Sequence, residues 1–432
     1  MRAEAALHHY YSTTGFWRLQ GYTYWSERGI PGAIVNNVWS SGERMTDRNS
    51  FVQGQWQDEF FRRWSLRLLA KYANDYTYYH NLDERTLSAD NTYLQQEVYL
   101  SLVQKVQIFT CWDLSVAYDM QYNDLNRQQG EHADKEYFSR WSHWLSLATA
   151  VNVQDYLRVQ TSALMTHVDG STRFTPAIFL SCSPLAGLSS PYAKGFKINA
   201  FYKQSYRYPT FNDLYYTEMG SAALKPELAR QHDVGISYSF DSKLSTLNFQ
   251  LDYYYNRVSD KIIAFPKGQQ FRWAMMNLGE VTIHGVDVAV GTTLHLPLRF
   301  TLTPRLQYTY QRALDITNPH DSYYRHQIPY VPLHSGSAVI GLNYDSRRGD
   351  HYGLNYSFTY VGERYSQPEN IPANYVPAWY THDLTFFGEW GIRQHRLHAQ
   401  LEINNLLGQD YEVIANYPMP KQNVRFSVSV TY

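Results

Sequence analysis

The sequence predicts an all-β fold, an antiparallel transmembrane β-barrel of about 19 strands, and three observations lead to this prediction. Apolar and polar residues alternate with a period of two through most of the 432 residues. The connections between these segments are short and long in turn, as in membrane barrels. Aromatic residues make up 16% of the chain and charged residues only 18%. The polar face of each strand must therefore be built mainly from uncharged side chains.

The alternation is clearest in the last segment, residues 425–432. One face of this segment carries Phe426, Val428, Val430 and Tyr432, whereas serine and threonine occupy the other. Outer-membrane insertion machinery recognises a final strand that has one apolar face and an aromatic last residue. We therefore predict that these four residues form a membrane-insertion signal, with an ordinary edge strand as the alternative.

Earlier segments repeat the same pattern, namely 234–240, 247–255, 300–310 and 397–403. Helical periodicity is not sustained for long in any segment, and even the stretch 60–79 keeps the period of two. No apolar run reaches the roughly 18 residues that a membrane helix needs. The sequence thus predicts that any membrane crossing is made by strands.

The connections divide into two classes by length. Short polar turns are predicted at 240–244, 294–297, 345–350 and 391–395, and long loops at 206–228, 312–332, 364–379 and 407–421. Aromatic residues gather just before the long loops, as in the girdle at a membrane interface. The alternative is a soluble all-β protein in which tyrosine is simply a good strand former.

Composition and motifs exclude several functions. A net charge of −1 does not fit a basic nucleic-acid-binding protein, and two cysteines cannot build a disulfide framework. No nucleophile motif, metal-ligand spacing or phosphate-binding loop is present. We therefore predict no enzyme activity, no catalytic residues, no cofactor, no metal site and no nucleic-acid partner.

One glycine interrupts the alternation. Val281 and Ile283 lie in one phase, whereas Val286 and Val288 lie in the other, with Gly285 between them. A change of phase by one residue at a glycine is typical of a β-bulge. We therefore predict a bulge at Gly285.

Four motifs in this order resemble those of TonB-dependent outer-membrane receptors, over most of the chain from about Tyr24 to Tyr432. They are 206–216 with the Leu-Lys-Pro-Glu at 224–227, 277–287, 404–411 with 417–420, and 26–33 with 47–49. The last of these is similar to the branch that includes cobalamin and siderophore receptors.

The resemblance implies a barrel of about 22 strands and an N-terminal plug that carries the energy-coupling box. Residues 1–432 would then be a partial barrel that lacks the plug, the signal peptide and about three of the strands. Such a chain would be unable to transport alone. A split gene and a late start site both explain this, and a naturally small plugless porin is a third account. The implied location is the outer membrane of a Gram-negative envelope.

The function implied is energy-coupled uptake of a scarce large nutrient, such as cobalamin or an iron-siderophore. The alternative is a passive pore or surface adhesin without energy coupling. The implied partners are outer-membrane lipid, the barrel assembly machinery, the nutrient, a surface lipoprotein, and the TonB complex through a plug outside this sequence.

Flat aromatic rings give large contact area at low entropic cost, so we predict ligand contacts from loop aromatics. These residues are Trp25, Trp39, Tyr208, Tyr215 and Tyr216. The alternative is that their rings only pack the loops together.

Overall fold

The computed structural model describes residues 1–30, 32, 34–35, 38–39, 42–81, 89–130, 133–188, 190–217, 219–267, 272–392 and 394–431. Within them the elements are β1 Arg2–Tyr10, β2 Phe16–Gly29, β3 Ile34–Val35, β4 Val38–Trp39, β5 Glu43–Phe60, β6 Trp64–Asn81, β7 Ala89–Phe109, β8 Trp112–Gln129, β9 Lys135–Val153, β10 Leu157–Val168, β11 Ser171–Cys182, α1 Pro191–Lys194, β12 Phe196–Arg207, α2 Phe211–Tyr215, β13 Glu227–Asp241, β14 Ser245–Lys267, β15 Arg272–His295, β16 Phe300–Asp315, β17 His334–Asp345, β18 His351–Val361, β19 Arg364–Tyr365, β20 Tyr375–Val376, β21 Trp379–Ile392, β22 His395–Asn404, β23 Glu412–Ile414, β24 Tyr417–Pro418 and β25 Asn423–Thr431.

Nineteen of these strands join one large antiparallel sheet, and the other six form three two-stranded ribbons, β3–β4, β19–β20 and β23–β24. The all-β prediction and the count of about 19 strands are therefore confirmed. Among the described helices, none has the length and apolar character needed to cross a membrane.

The chain divides into two compact units. Unit 1 comprises Met1–Leu180, Tyr202–Ala229 and Ile262–Asn277, and unit 2 comprises Ser181–Phe201, Arg230–Lys261 and Leu278–Tyr432. In unit 1 the strands pair in the order β1, β2, β5, β6, β7, β8, β9, β10. In unit 2 the order is β15, β16, β17, β18, β21, β22, β25.

The register of unit 2 separates an apolar face from a polar face. One row across the apolar face reads Leu302, Leu342, Leu354, Phe386, Leu401, Phe426. Val428 and Val430 follow on this face, and their side chains are 55% and 48% exposed. The predicted phase of the last strand is therefore confirmed for these residues, whereas Tyr432 lies outside the described residues. Their role in membrane insertion stays a prediction.

Unit 1 shows the same division. A row of Leu19, Gly54, Ala70, Leu100 and Met120 crosses its apolar face. The adjacent row on its polar face reads Gln53, Lys71, Tyr99, Gln121. Since successive side chains of a strand point to opposite faces, the pairing register alone assigns each residue to a face.

Short and long connections alternate over much of the chain, with exceptions that include two clear ones. Strands β10 and β11 are joined by Asp169 and Gly170 alone, where a long loop was expected, and both residues have positive φ. A two-residue hairpin turn needs this backbone conformation, which glycine adopts without strain. The second exception is the connection 183–195, which is long where a short turn was expected.

The prediction of a bulge at Gly285 is wrong for the side of β15 that pairs with β16. The register there runs unbroken from Val281 opposite Asp315 to Gly291 opposite Arg305. The phase changes because β15 buries Val281 on one face near its long-loop end and presents Val286 on the other face. Glycine is needed for a close approach, since a Cβ at this position would lie 2.2 Å from the Tyr310 carbonyl oxygen.

The two faces of β25 give a direct test of the membrane-facing side. Val428→Arg should block assembly, because a charged side chain at mid-bilayer on the lipid face costs about 2–4 kcal/mol. Ser429→Arg, one residue along on the opposite face, is the matched control and should assemble better. The measurement is heat-modifiable gel mobility after refolding into phospholipid vesicles. Equal yields for the two variants would contradict the assignment of the faces.

Candidate ligand-contacting surface

The segment 208–217, which we call the wedge, begins with a helix that its own sequence specifies. The Thr210 hydroxyl accepts a hydrogen bond from the Asp213 amide at 3.1 Å, and the Asp213 carboxylate accepts one from the Thr210 amide at 2.9 Å. This reciprocal capping box starts α2. Asp213 is buried and also accepts a hydrogen bond from Arg207 at 2.7 Å. The short helix is thus fixed at its first turn.

The wedge packs against the polar face of strands β7, β8 and β9. The ring of Tyr216 stacks on Tyr93 with centroids 4.9 Å apart, and that of Tyr215 stacks on Phe138 at 3.8 Å. Phe211 is only 4% exposed and completes the cluster. The connection between β12 and β13 therefore lies against the sheet at this point.

Two arginines from these strands fasten the wedge. The Arg140 guanidinium lies 5.1 Å from the ring centroid of Tyr208 and 4.6 Å from that of Phe211, within the range of cation–π attraction. Arg140 also donates to the Pro209 carbonyl at 2.7 Å. Arg127 donates to the Tyr215 carbonyl at 2.6 Å. The two ends of the wedge are therefore each held by a charged hydrogen bond.

Burial raises the pKa of two phenols of the wedge, those of Tyr208 and Tyr216. It raises the pKa of Tyr216 to about 12, with smaller contributions from Tyr93, Asp47 and Glu43. Burial also raises the pKa of Tyr208, and the nearby Asp169 carboxylate adds to that effect. Both phenols therefore remain protonated, and able to donate hydrogen bonds, to a higher pH than an ordinary tyrosine.

An open recess of about 500 Å³ lies further along the same face of unit 1. Its charged side chains are paired: Lys71 contacts Glu97 at 3.0 Å, and Tyr99 donates to Asp119 at 2.7 Å. The remaining lining residues are Gln53, Leu69, Gln121 and Trp144. Aromatic surface beside amides and carboxylates can bind a large polar molecule through both stacking and hydrogen bonds. Across the described part of the chain, no three His, Cys, Asp or Glu side chains are grouped to hold a metal ion.

The long loops of unit 2 are held by a buried arginine that sequence inspection did not single out. Arg364 is 3% exposed and donates to the carbonyls of Glu412 and Val413 at 2.6 and 2.8 Å. Weaker contacts reach Gly362 and Pro377. Burial lowers the pKa of this guanidinium. Its hydrogen bonds join two loops that are distant in sequence.

The structure brings three of the five predicted ligand residues together and separates a fourth. Tyr208, Tyr215 and Tyr216 share the wedge, but their rings already contact strand side chains. Trp25 is 48% exposed. In β2 it lies on the same face as Leu19, which belongs to the apolar row of unit 1. The backbone of Trp39 pairs with Ile34, and its side chain lies outside the described residues. Ligand contact by these residues stays a prediction.

The residues that position the wedge were missed in the sequence. Thr210 and Asp213 form a Thr-x-x-Asp pattern that could have revealed the helix start. Tyr93, Phe138 and Arg140 have no local signal, because they contact the wedge only after distant strands pair.

Comparison with known proteins identifies the family. The model of the family described as TonB dependent receptor-like, β-barrel matches residues 4–406. The chain belongs to this family. The resemblance seen in the sequence motifs is therefore confirmed.

Two curated proteins share parts of the sequence. A vitamin B12 transporter, BtuB, of Vibrio vulnificus is 32% identical over 83 residues, which are 19% of this chain and 13% of that protein. A second BtuB, of Photobacterium profundum, is 28% identical over 98 residues, which are 22% of this chain and 16% of that protein. The aligned part thus spans well under a fifth of either curated relative.

Solved structures match over nearly the whole chain. The copper transporter OprC and the ferric citrate transporter FecA in its unliganded form both have a TM-score of 0.74 at 12% identity. These matches cover 99% of this chain and 71% and 70% of those chains. At this level of identity the likeness concerns the fold alone.

The buried phenol of the wedge predicts a change in stability at alkaline pH. Because the pKa of Tyr216 is raised to about 12 in the folded protein, its contribution is complete below pH 10 and is lost as the pH rises toward 12. We expect the free energy of unfolding to fall by about 2 kcal/mol across this range through Tyr216 alone.

Tyr216→Phe should remove that component, whereas Tyr253→Phe, at an exposed position, should leave it unchanged. The measurement is urea unfolding in detergent at a series of pH values. An identical alkaline slope for Tyr216→Phe and the unmodified chain would contradict the proposed burial of the phenol.

Proposed function

We propose that this chain forms the wall of an outer-membrane receptor for energy-coupled uptake of a scarce large nutrient. The observation that carries the proposal is the family match over residues 4–406. Cobalamin and an iron-siderophore are the leading ligand classes. The vitamin B12 transporters among the curated relatives support the first. The ferric preacinetobactin receptor BauA of Acinetobacter baumannii, a structural relative with a TM-score of 0.69 at 10% identity, belongs with the second.

Ligand contact then falls to the polar face of unit 1. This face carries the recess lined by Tyr99 and Trp144 and, farther along β7, the wedge packed on Tyr93. A large ligand with both flat and hydrogen-bonding surfaces fits such a lining. The paired Lys71 and Glu97 would present a preformed polar surface, beside an Asp119 carboxylate that accepts a hydrogen bond from Tyr99.

Residues 1–432 act as barrel wall, with outer-membrane lipid around the apolar faces and insertion by the barrel assembly machinery. Energy from the TonB complex reaches the ligand through a plug outside these 432 residues. A surface lipoprotein is the remaining proposed partner.

Two tryptophans of β9 on opposite faces test the ligand-contacting face. Trp144 lines the recess, whereas Trp141 is 50% exposed on the apolar face. Trp144→Ala should weaken binding by roughly tenfold, since loss of one well-packed aromatic contact costs on the order of 1 kcal/mol. Trp141→Ala is the matched control and should leave affinity within about twofold.

The measurement is equilibrium dialysis of the folded full chain in detergent against cyanocobalamin and, separately, ferric citrate. Equal affinities of the two variants for a ligand that binds the unmodified chain would argue against the polar face. Absence of binding by the unmodified chain would instead argue against both ligand classes.

Energy coupling has its own test. Cells that carry the chain together with its proposed plug should accumulate labelled cyanocobalamin or iron-siderophore only when TonB is present. We expect uptake in a TonB-deficient strain to fall to the level of cells without the receptor. Uptake that persists at the same rate without TonB would show a passive pore.

A further inference from the structure

Two short turns carry residues that their backbone conformation disfavours. Leu298 and Arg299 in unit 2 have φ of 60° and 65°, and Phe61 and Arg62 in unit 1 have φ of 53° and 58°. Consecutive left-handed residues of this kind usually are Asn and Gly. Here each pair is a large apolar residue followed by arginine, and the apolar side chains are 82% and 90% exposed. Strain of this kind, kept at an exposed position, points to a function of the side chains.

In unit 2 the strained turn stands in a row of neighbouring turns. The His295 amide donates to the Leu244 carbonyl at 2.9 Å, and Arg299 donates to the Ser346 carbonyl at 3.2 Å. The Ser239 amide donates to the Gly195 carbonyl at 3.0 Å. The first and third bonds run from a turn to the end of the neighbouring strand, and the second joins two turns. We call the segments 191–195, 241–244, 296–299 and 346–350 the turn row.

The turn row is basic. It holds five basic residues, Lys194, Lys243, Arg299, Arg347 and Arg348, against two acidic ones. The long loops of unit 2, 316–333, 362–378 and 405–422, hold three basic and five acidic residues. Within the described chain, no ion pair joins Lys243, Arg347 or Arg348 to a carboxylate, and all three side chains are exposed. The charges of the row are therefore available to an external anion.

A belt of aromatic rings lies directly beside the turn row on the apolar face. Phe300 contacts Tyr344 at 5.0 Å between ring centroids, Tyr344 contacts Tyr352 at 6.3 Å, and Tyr352 contacts Trp390 at 5.9 Å. Tyrosine and tryptophan belts mark the headgroup level of a bilayer. The basic side chains thus stand where lipid phosphates would be.

We propose that the turn row binds the headgroups of anionic phospholipids. Lys243, Arg299, Arg347 and Arg348 contact the phosphates, while Leu244 and Leu298 enter the boundary with the acyl chains. Leu298, in its strained conformation, is 82% exposed and directly precedes Arg299 in the chain. This role goes beyond nutrient uptake, because it concerns how the chain is held at one surface of the membrane.

The first experiment removes the charge. The full chain is placed in phosphatidylcholine bicelles, and its affinity for added dansyl-phosphatidylglycerol is measured by energy transfer from tryptophan. The variant Lys243→Gln/Arg299→Gln/Arg347→Gln/Arg348→Gln should bind this lipid roughly tenfold more weakly or worse. The control variant Arg325→Gln/Lys421→Gln, at the long loops, should remain within about twofold. Affinity of the unmodified chain should fall as salt is raised.

The second experiment separates lipid binding from folding. Leu298→Asn/Arg299→Gly installs an ordinary turn, so its unfolding temperature should stay equal or rise. Its affinity for dansyl-phosphatidylglycerol should nevertheless fall. A purely structural turn would leave lipid affinity unchanged, and that result would overturn the proposal.

Two further outcomes would also overturn it. Full competition by soluble glycerol phosphate would show a site for free anions rather than for a lipid surface. Unchanged lipid affinity in the fourfold variant, with loss of binding to an acidic polypeptide such as polyglutamate, would assign the row to a protein partner.

Discussion

Antiparallel backbone pairing is the constraint on which the other features depend. Once Val428 stands opposite Ala399, and Ala399 opposite Gly388, the face of every neighbouring side chain is set. A slip of one residue would turn the whole apolar row to the other side. The long unbroken registers, such as the 18 pairs of β5 with β6, therefore determine which side chains form the apolar face and which form the polar face.

The wedge shows how such a sheet can shape a surface without a separate core. Its helix is too short to be stable alone, and it persists because of the rings and arginines on three neighbouring strands. Phe211 and Leu125 pack together there. Arg127 donates to the Tyr215 carbonyl, which the end of the helix leaves open, and Arg140 donates to the Pro209 carbonyl just before the helix. The polar face is thus no longer flat at this point, because a segment with little structure of its own is packed on it.

The sequence predicted those features of the fold that depend on interactions between residues close together in the chain. The period of two predicted the strands, and the order of short and long connections followed from turn chemistry, because both depend on neighbouring residues. The phase of β25 was predicted correctly for the same reason. The bulge predicted at Gly285 is absent where β15 pairs with β16; a change of apolar face and a bulge produce the same pattern in sequence. Only the partner strand distinguishes them.

The candidate site was less predictable. Tyr215 and Tyr216 stood out as aromatic loop residues, yet the residues they stack on, Phe138 and Tyr93, lie some 75 and more than 100 positions away. Trp25 appeared equivalent in the sequence but lies on the opposite face. Arg364 gave no signal, because it binds backbone carbonyls, which every residue possesses.

The distances in sequence across the wedge bear on the time course of folding. The hydrogen bond between Tyr93 and Thr217 spans 124 residues, and that between Arg127 and Tyr215 spans 88. Such contacts bring no stabilisation until the long intervening chain has closed. Docking of the wedge therefore comes late, after β7, β8 and β9 have paired. Substitutions in the wedge should then speed unfolding far more than they slow folding, so this segment governs how long the assembled chain survives rather than how quickly it forms.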